Sequence, residues 1–323
     1  MNAQIQALPF GVEALNGLSA KLINSHHQHN HGGAVKRLNA IREQLAGIDF
    51  AAAPGFLLNG LKHEELIATN SMLLHELYFD SLGSDGSSME PACALALSAN
   101  FGSVERWREE FTACAKALGG GSGWMLLVFQ AREGRLVNQW AADHTHALAG
   151  GVPILALDMY EHAYHLDFGA NAGAYVDAFM SHIHWTAVYA RYQHAVSSAS
   201  HALGMSAQAM KDAMGEAMAQ ASGEARAQAM GDAMLIDVRR AAVFEKASTQ
   251  IRAATWHDPA ELDTWVRTMP KDKPVIAYCV YGHEVSRAVA LRLRAAGLQA
   301  HFLQGGIDAW QTQGLPTQPK SSH

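Results

Sequence analysis

One stretch near the middle of the chain differs in composition from the sequence on either side of it. Residues 196–230 consist largely of alanine, serine, glycine and methionine. Before this stretch, long segments with helical spacing precede apolar strand-like runs, and after it short strands and helices alternate. Because a chain of 323 residues has room for two domains, we predict a linker over residues 196–230.

The part before the linker begins with two helical patterns. Residues 17–46 and 61–82 place apolar side chains at helical spacing. Gly32 and Gly33 mark a point where the first helix can bend. The two patterns predict a helical hairpin, which we assign to a domain of residues 1–90.

Residues 91–195 combine helices with strands. The segment 103–119 has helical spacing, with Ser103 as a candidate N-cap and Gly119 as a stop signal. The apolar runs WMLLVFQ, RLVNQWAA and VPILALD predict three strands, and helical spacing returns from Ala174. We therefore expect an α/β domain here.

The part after the linker, residues 231–323, alternates between strand and helix patterns. The strand-like runs MLIDVR, PVIAYC and QAHFLQG are separated by the helix-like runs DPAELDTWVRTM and SRAVALRLRAAG. Such alternation is typical of a parallel sheet with helices on its faces. We predict a second α/β domain of this kind.

Composition and charge exclude several classes of function. A formal net charge of −6 and a pI near 6.3 argue against nucleic acid or an anionic membrane surface as a partner. No apolar run is long enough to span a membrane, and the N-terminus lacks the features of a secretory signal. We therefore expect a cytoplasmic protein. Three cysteines against 18 histidines favour nitrogen and oxygen ligands for any bound metal.

Four residues of the first part have side chains suited to binding one metal ion. A helical hairpin can bring His26 and His75 to the same inner face, while Asp158 follows an apolar strand and His162 lies four residues further on. Three neutral imidazoles and one carboxylate suit a first-row ion such as iron or manganese, and also zinc. For any one of these histidines, a surface or capping role is the alternative.

Longer phrases around these residues carry a family resemblance. The phrases LPF, NSHHQHNH, LLHELYF, GSGW and LDMYEHAYHLDF resemble the iron/manganese superoxide dismutase family over residues 8 to about 195. The most specific of them is D-x-x-E-H-A-Y, which begins at Asp158. The resemblance implies a helical hairpin followed by an α/β half with a three-stranded antiparallel sheet, and a homodimer or a dimer of dimers.

The resemblance also implies roles for individual residues. It makes His26, His75, Asp158 and His162 the ligands of one iron or manganese ion, with superoxide as the substrate. Glu161 is expected to reach the partner subunit's His162, and Tyr164 to line the access funnel. The hydrogen-bond partner of solvent at the metal falls on His144, with His146 as a nearby rival. A histidine at that position favours iron over manganese by family analogy.

Several positions around the expected ligands depart from the family pattern. The family's second histidine on the first helix, its gateway tyrosine, two tryptophans, a second tyrosine and an arginine are replaced here. The replacements are Asn30, Ala34, Phe79, Tyr160, His165 and Ala172. The ligands are therefore kept while the surrounding hydrogen-bond network changes. His29, His31 or His165 could relay protons in place of the missing tyrosine.

Cys279 ends the predicted strand PVIAYC and precedes a loop and a helix. A cysteine at a helix N-terminus meets backbone N–H groups that stabilise its thiolate, which makes it a nucleophile. The same N–H groups can hold a persulfide or an oxyanion. The alternative is a small buried apolar residue.

The sequence around Cys279 resembles the rhodanese-like family over residues 233–317. LIDVR, which contains Asp237 and Arg239, and LQGGIDAW are the specific pieces. The resemblance implies sulfur transfer through a persulfide on Cys279, with an unknown donor and acceptor. The loop is one residue longer than usual, and Glu284 beside a thiolate is expected to repel thiosulfate. Val285 stands where a phosphatase-like loop needs arginine.

The expected function is therefore disproportionation of superoxide to dioxygen and hydrogen peroxide, with sulfur transfer as a second activity. Two alternatives stay open. The first is a sulfurtransferase or an oxyanion-detoxifying protein that uses the metal domain as a dimer platform. The second is a metal-bound scaffold or redox sensor without catalysis.

Overall fold

The chain divides into two compact units. The computed structural model describes residues 2–83, 89–211 and 233–320. The first unit comprises Met1–Ala94, Val104–Val128 and Val137–Ala190. The second comprises Leu95–Ser103, Phe129–Leu136 and Arg191–His323. The helical hairpin and most of the α/β half thus fall in one unit rather than two. Among the described residues, no helix is both long and apolar enough to cross a membrane.

The first predicted helix consists of three consecutive helical segments. Helix α1 spans Ala20–Ser25, a π-helical segment spans His26–His31, and helix α2 spans Gly32–Ala46. Ser19 caps α1, because its hydroxyl accepts a hydrogen bond from the amide of Leu22 over 3.1 Å. The distortion lies in the histidine-rich turns, one residue before the glycines that we expected to bend the helix. Wider π turns of this kind are frequent at functional sites.

Helix α3 spans Gly55–Asp80 and packs along α2. Leu38 and Ile41 of α2 bury against Ala68 of α3. These contacts follow the helical spacing of apolar residues in both segments, so the two helices form the hairpin that the sequence predicts.

The remaining elements of the first half of the chain are helices on either side of a three-stranded sheet in sequence order. They are α4 (Pro91–Phe101), α5 (Val104–Ala117), β1 (Trp124–Gln130), β2 (Arg135–Ala141), β3 (Gly151–Asp158), α6 (His165–Phe168), α7 (Ala172–Ser181) and α8 (Trp185–Ser200). The three strands form an antiparallel sheet in the order β2-β1-β3, as predicted. A short 3-10 turn, Glu161–Ala163, follows β3.

The second half of the chain is built on a parallel sheet. Its elements are β4 (Gly204–Met205), β5 (Met234–Asp237), α9 (Ala241–Lys246), β6 (Thr249–Ile251), β7 (Thr255–Trp256), α10 (Leu262–Trp265), β8 (Val275–Tyr278), α11 (Glu284–Ala295), β9 (Ala300–Leu303), α12 (Gly306–Thr312) and β10 (Thr317–Pro319). Five strands pair in parallel in the order β4-β9-β8-β5-β7. This agrees with the predicted parallel sheet with helices on its faces.

Strand β4 lies inside the stretch that the sequence predicts to be a linker. Its residues pair with Phe302 and Leu303 of β9, and residues 207–211 after it are helical. Ala207 and Met210 are buried in the core of the second unit. The linker prediction is therefore wrong for its first part, because apolar residues in that part pack against the sheet. Residues 212–230 lie outside the described residues.

A glycine-rich turn before α12 holds the segment that follows β8. The amides of Ile307 and Asp308 donate hydrogen bonds of 3.0 Å to the carbonyls of Cys279 and Val280. A Cβ atom on Gly306 would overlap both of those carbonyl oxygens. The close approach of the two backbones therefore requires glycine here.

We expect Gly306→Ala to destabilise the second unit far more than Gly314→Ala. Both glycines have a left-handed φ, of +57° and +67°, but a Cβ on Gly314 meets nothing within 4 Å. The shared backbone strain is about 1 kcal/mol, whereas the overlap at Gly306 should add more than about 2 kcal/mol. Denaturant unfolding of both variants measures the difference, and equal losses would contradict the packing argument.

Candidate metal centre and cysteine loop

The four predicted metal ligands come from four separate elements of the first unit. His26 begins the π-helical segment, His75 lies on α3, Asp158 ends β3 and His162 lies in the 3-10 turn. His26, His75 and Asp158 are buried, and His162 is 28% exposed. The fold thus brings together residues that are far apart in sequence, such as His26 and Asp158, which are 132 positions apart.

The ligand atoms of these residues converge on one point. The Asp158 Oδ2 atom lies 3.0 Å from His26 Nε2, 3.3 Å from His75 Nε2 and 3.1 Å from His162 Nε2. All four atoms lie within 4.8 Å of one another. Two ligands about 2.1 Å from a first-row ion are separated by about 3.0–3.4 Å at ordinary coordination angles. The spacing and the donor set therefore fit a single ion of this size.

Neighbouring groups fix the orientation of two of these side chains. His75 Nδ1 donates a hydrogen bond to the Ser71 carbonyl over 2.6 Å. Its proton is therefore on Nδ1, and Nε2 presents a lone pair to the centre. The other carboxylate oxygen of Asp158, Oδ1, accepts a hydrogen bond from the Tyr160 amide over 2.8 Å.

Two buried tyrosines, which the sequence analysis missed, support the strand end that carries Asp158. The Tyr175 hydroxyl donates to the Asp158 carbonyl over 2.8 Å and lies 3.3 Å from the Tyr78 hydroxyl. Burial, first of all, raises the pKa of both phenols, so they stay protonated. In the sequence, the only signal for these contacts is the position of each tyrosine on the apolar face of its helix.

The charges of the buried ligands suit metal binding. Burial lowers the pKa of His26 to about 4, so its imidazole is neutral at pH 7. Burial would raise the pKa of the Asp158 carboxyl, but His162 and the other two imidazoles hold it well below its usual range. The centre therefore combines an ionised carboxylate with a neutral His26 imidazole.

Aromatic rings enclose the centre where the sequence departs from the family pattern. Phe79 lies 5.0 Å from the His26 ring, and Tyr160 lies 5.4 Å from the His162 ring. Ala34 and Ala172 are both buried. Phe79 and Tyr160 therefore remain part of the wall around the ligand rings.

His144, the predicted solvent partner, lies near the centre. Its ring is 6.2 Å from the His75 ring and stacks on Tyr160 at 4.8 Å. Trp124 Nε1 donates a hydrogen bond to His144 Nδ1 over 2.9 Å. Because Nδ1 is the acceptor, the proton of the neutral ring is on Nε2. Its rival His146 is about half exposed and stacks on Trp140.

The other predicted residues of the first unit are distributed between surface and interior. Tyr164 is buried and stacks on Tyr175 at 5.3 Å, so in this chain its ring is part of the packed wall. Glu161 is exposed. Of the suggested proton relays, His29 and His165 are exposed, whereas His31 is buried 3.5 Å from a Glu76 oxygen.

In the second unit, Cys279 follows β8 and precedes the N-terminus of α11. The cysteine is 6% exposed, and its Sγ lies 3.3 Å from the buried Ser286 hydroxyl. The carbonyls of Cys279 and Val280 are turned toward α12. Within the residues that the structure describes, the amides of 280–283 donate to no protein acceptor. Amides without a protein acceptor in the loop after a cysteine are available to stabilise negative charge.

Two buried ion pairs surround this loop. Asp237 accepts hydrogen bonds from the Arg239 guanidinium and, over 2.8 Å, from the Tyr278 hydroxyl. The Glu284 carboxylate pairs with Arg240 over 2.8 Å. Its charge is thus compensated, which weakens the repulsion of thiosulfate that the sequence suggested for Glu284.

The fold and the first centre together define a class of protein in which a helical hairpin and a three-stranded sheet bring together three histidines and one carboxylate that could hold a single metal ion. The chain belongs to the iron/manganese superoxide dismutase family. Its residues 89–191 match the model of the iron/manganese superoxide dismutase C-terminal domain, and residues 221–313 match that of the rhodanese-like domain.

Similar proteins come from bacteria and archaea. An iron superoxide dismutase of Cupriavidus metallidurans is 65% identical over 190 residues, which are 58% of this chain and 96% of that protein. A manganese superoxide dismutase of Halobacterium salinarum is 36% identical over 60% of this chain and 96% of its own. An iron superoxide dismutase of Aquifex pyrophilus is 33% identical over 57% of this chain and 88% of its own.

The buried neutral histidines should make the metal-free protein less stable as the pH falls from about 6.5 to 4. Burial lowers the pKa of His26 and of His144 to about 4, whereas both return to about 6.5 in the unfolded chain. In this window the unfolded chain binds more protons, so its free energy falls relative to the folded state. Each histidine contributes up to about 1.4 kcal/mol per pH unit, and the partly exposed His144 contributes less.

Urea unfolding of the metal-free protein at a series of pH values measures this effect. His144→Gln should flatten the dependence, and the exposed His63 provides the control variant His63→Gln. An equally steep dependence in both variants would show that His144 is not neutral in the folded state.

Proposed function

We propose that this protein disproportionates superoxide to dioxygen and hydrogen peroxide at one iron or manganese ion per subunit. The observation that carries the proposal is the convergence of three imidazole Nε2 atoms on Asp158 Oδ2. The strong similarity to an iron superoxide dismutase supports it. That relative also favours iron over manganese, since it is 65% identical to this chain, whereas the manganese superoxide dismutase of Halobacterium salinarum is 36% identical.

The residues around the centre have different proposed roles. His26, His75, Asp158 and His162 would hold the ion. When bound, the ion supplies the one-electron couple that accepts an electron from one superoxide and returns it to a second. The buried wall of Phe79, Tyr78 and Trp124 excludes bulk water from the centre.

His144 is the proposed hydrogen-bond partner of solvent at this centre. Trp124 fixes its tautomer, so that Nε2–H is the donor available to a neighbouring oxygen. Because the tautomer is fixed, the proton of His144 stays on Nε2. A hydrogen bond from Nε2–H would tune the pKa of solvent bound at the centre. His146 is too exposed for this role.

A homodimer is part of the proposal. Glu161 is exposed beside the partly exposed ligand His162, so it is free to reach the partner subunit's His162. Tyr164 would then belong to the wall of an access funnel shared by two subunits.

We place the protein in the cytoplasm, because its three cysteines Cys93, Cys114 and Cys279 are all unpaired.

Asp158→Asn should lower metal occupancy and dismutase activity together, by more than about 100-fold. The amide removes the only anionic ligand from a buried centre of neutral imidazoles. His146→Gln is the matched control, since His146 lies outside the centre. Metal analysis and superoxide consumption are measured on the same preparations. A wild-type protein that contains neither iron nor manganese and consumes no superoxide would favour the scaffold alternative.

We infer sulfur transfer through Cys279 as a second activity. The free amides of the loop and the Ser286 hydroxyl can stabilise the Cys279 thiolate and a persulfide on it. The thiolate would attack the outer sulfur of thiosulfate, forming a new S–S bond while sulfite leaves with the electron pair. Cyanide would then take that sulfur as thiocyanate and regenerate the thiolate.

Cys279→Ser should reduce cyanide-dependent sulfur transfer from thiosulfate to background and leave dismutase activity unchanged. A serine hydroxyl is not ionised at neutral pH and cannot carry the persulfide. The matched control is Cys114→Ser, at the partly exposed cysteine of α5. Full sulfur transfer in the Cys279→Ser protein would exclude this second activity.

A further inference from the structure

Arg287 lies on the first turn of α11 and is anchored on three sides. Its Nε donates to the Gly282 carbonyl over 2.8 Å, and its Nη1 donates to the Ser197 hydroxyl over 3.3 Å. Its Cζ stands 4.4 Å from the centre of the buried Phe302 ring. Among the described residues, Nη2 has no hydrogen-bond partner. The guanidinium is thus held in place with one NH2 group left for a ligand.

The contact with Gly282 also shapes the cysteine loop. Gly282 has a left-handed φ of +67° and packs tightly against the backbone of residues 303–306. The hydrogen bond from Arg287 to the Gly282 carbonyl fixes the orientation of the peptide group between Gly282 and His283. The free loop amides therefore depend on Arg287 for their direction.

The carboxylate that acts on Arg287 is shared with a second arginine. The nearby acid, Glu284, forms its ion pair with Arg240 over 2.8 Å and accepts a hydrogen bond from Gln193 over 3.4 Å. Burial lowers the pKa of Arg287, while Cys279 and Glu284 oppose that shift, so the guanidinium remains charged. The Arg287 guanidinium therefore adds a positive charge near Cys279.

We propose that Arg287 sets the charge selectivity of Cys279, drawing anionic reagents to the sulfur and positioning the loop amides around them. The functional side of this inference rests on the proposed sulfur transfer. The effect of the Arg287 charge on Cys279 can be measured without any sulfur donor.

Alkylation by two reagents of different charge isolates this effect. Iodoacetate is an anion and iodoacetamide is neutral, but both are attacked by the thiolate at the same carbon, with loss of iodide. A change in the thiolate fraction alters both rates equally. The ratio of the two rates at Cys279, measured by peptide mass spectrometry on the full chain, therefore reports the local charge.

Three variants distinguish charge from structure. Arg287→Gln keeps a hydrogen-bonding side chain without the charge, and should lower the iodoacetate-to-iodoacetamide ratio about five- to tenfold. Arg287→Lys keeps the charge and should stay within about threefold of wild type. Arg294→Gln removes the same net charge from an exposed residue of the last turn of α11, and should leave the ratio unchanged.

The same variants test the role in sulfur transfer. Arg287→Gln should raise the KM for thiosulfate more than it lowers kcat, and Arg287→Lys should restore most of the loss. A ratio in Arg287→Gln equal to that in Arg294→Gln would overturn the proposal. A Cys279 that neither reagent labels would overturn it together with the proposed sulfur transfer. A charge-dependent ratio without any sulfur transfer would uphold the assignment of Arg287 and remove only the proposed activity.

Discussion

The buried carboxylate of Asp158 is the group around which the first unit is organised. Three imidazole Nε2 atoms lie within 3.3 Å of one of its oxygens, and two of them, those of His75 and His162, are only 3.4 Å apart. His75 cannot supply a proton between them, because its proton is held at Nδ1 by the Ser71 carbonyl. Lone pairs and a negative charge that face one another at these distances repel, unless a cation lies between them. A bound cation would relieve this repulsion, so the geometry is suited to a metal complex.

The surrounding fold keeps this repulsive arrangement together. Asp158 is fixed at a strand end by the Tyr160 amide and, through its carbonyl, by the Tyr175 hydroxyl. His26 is presented by a π-helical turn, whose wider spacing changes the direction of the side chains that follow. Packing of α2 on α3 then places His75 opposite. The hydrophobic hairpin and the sheet thus supply the free energy that holds four ligands in place before any ion binds.

How far the sequence predicts this structure depends on the length of the pattern that encodes each part. The hairpin, the three antiparallel strands and the central strands β5, β8 and β9 were predictable, because each is a run of apolar residues with a clear period. Strand β4 was not, since two residues carry no period and their pairing with β9 depends on tertiary contacts. The four candidate ligands were identified through the phrases around them, whereas Tyr175 and Arg287 were missed. Their roles depend on which backbone carbonyl each one reaches, and no local pattern encodes that.

The two sites provide positive charge for an anion in different ways. In the first unit, one carboxylate and three imidazoles would leave a bound iron or manganese ion with a net positive charge. In the second unit, Glu284 is paired with Arg240, so Arg287 shares this acid with a second arginine. Each site therefore presents positive charge in a largely buried setting, where the low dielectric strengthens its attraction for an anion. Superoxide and the oxyanion of a sulfur donor are both anions of this kind, although the chemistry that follows at a metal and at a thiolate has nothing else in common.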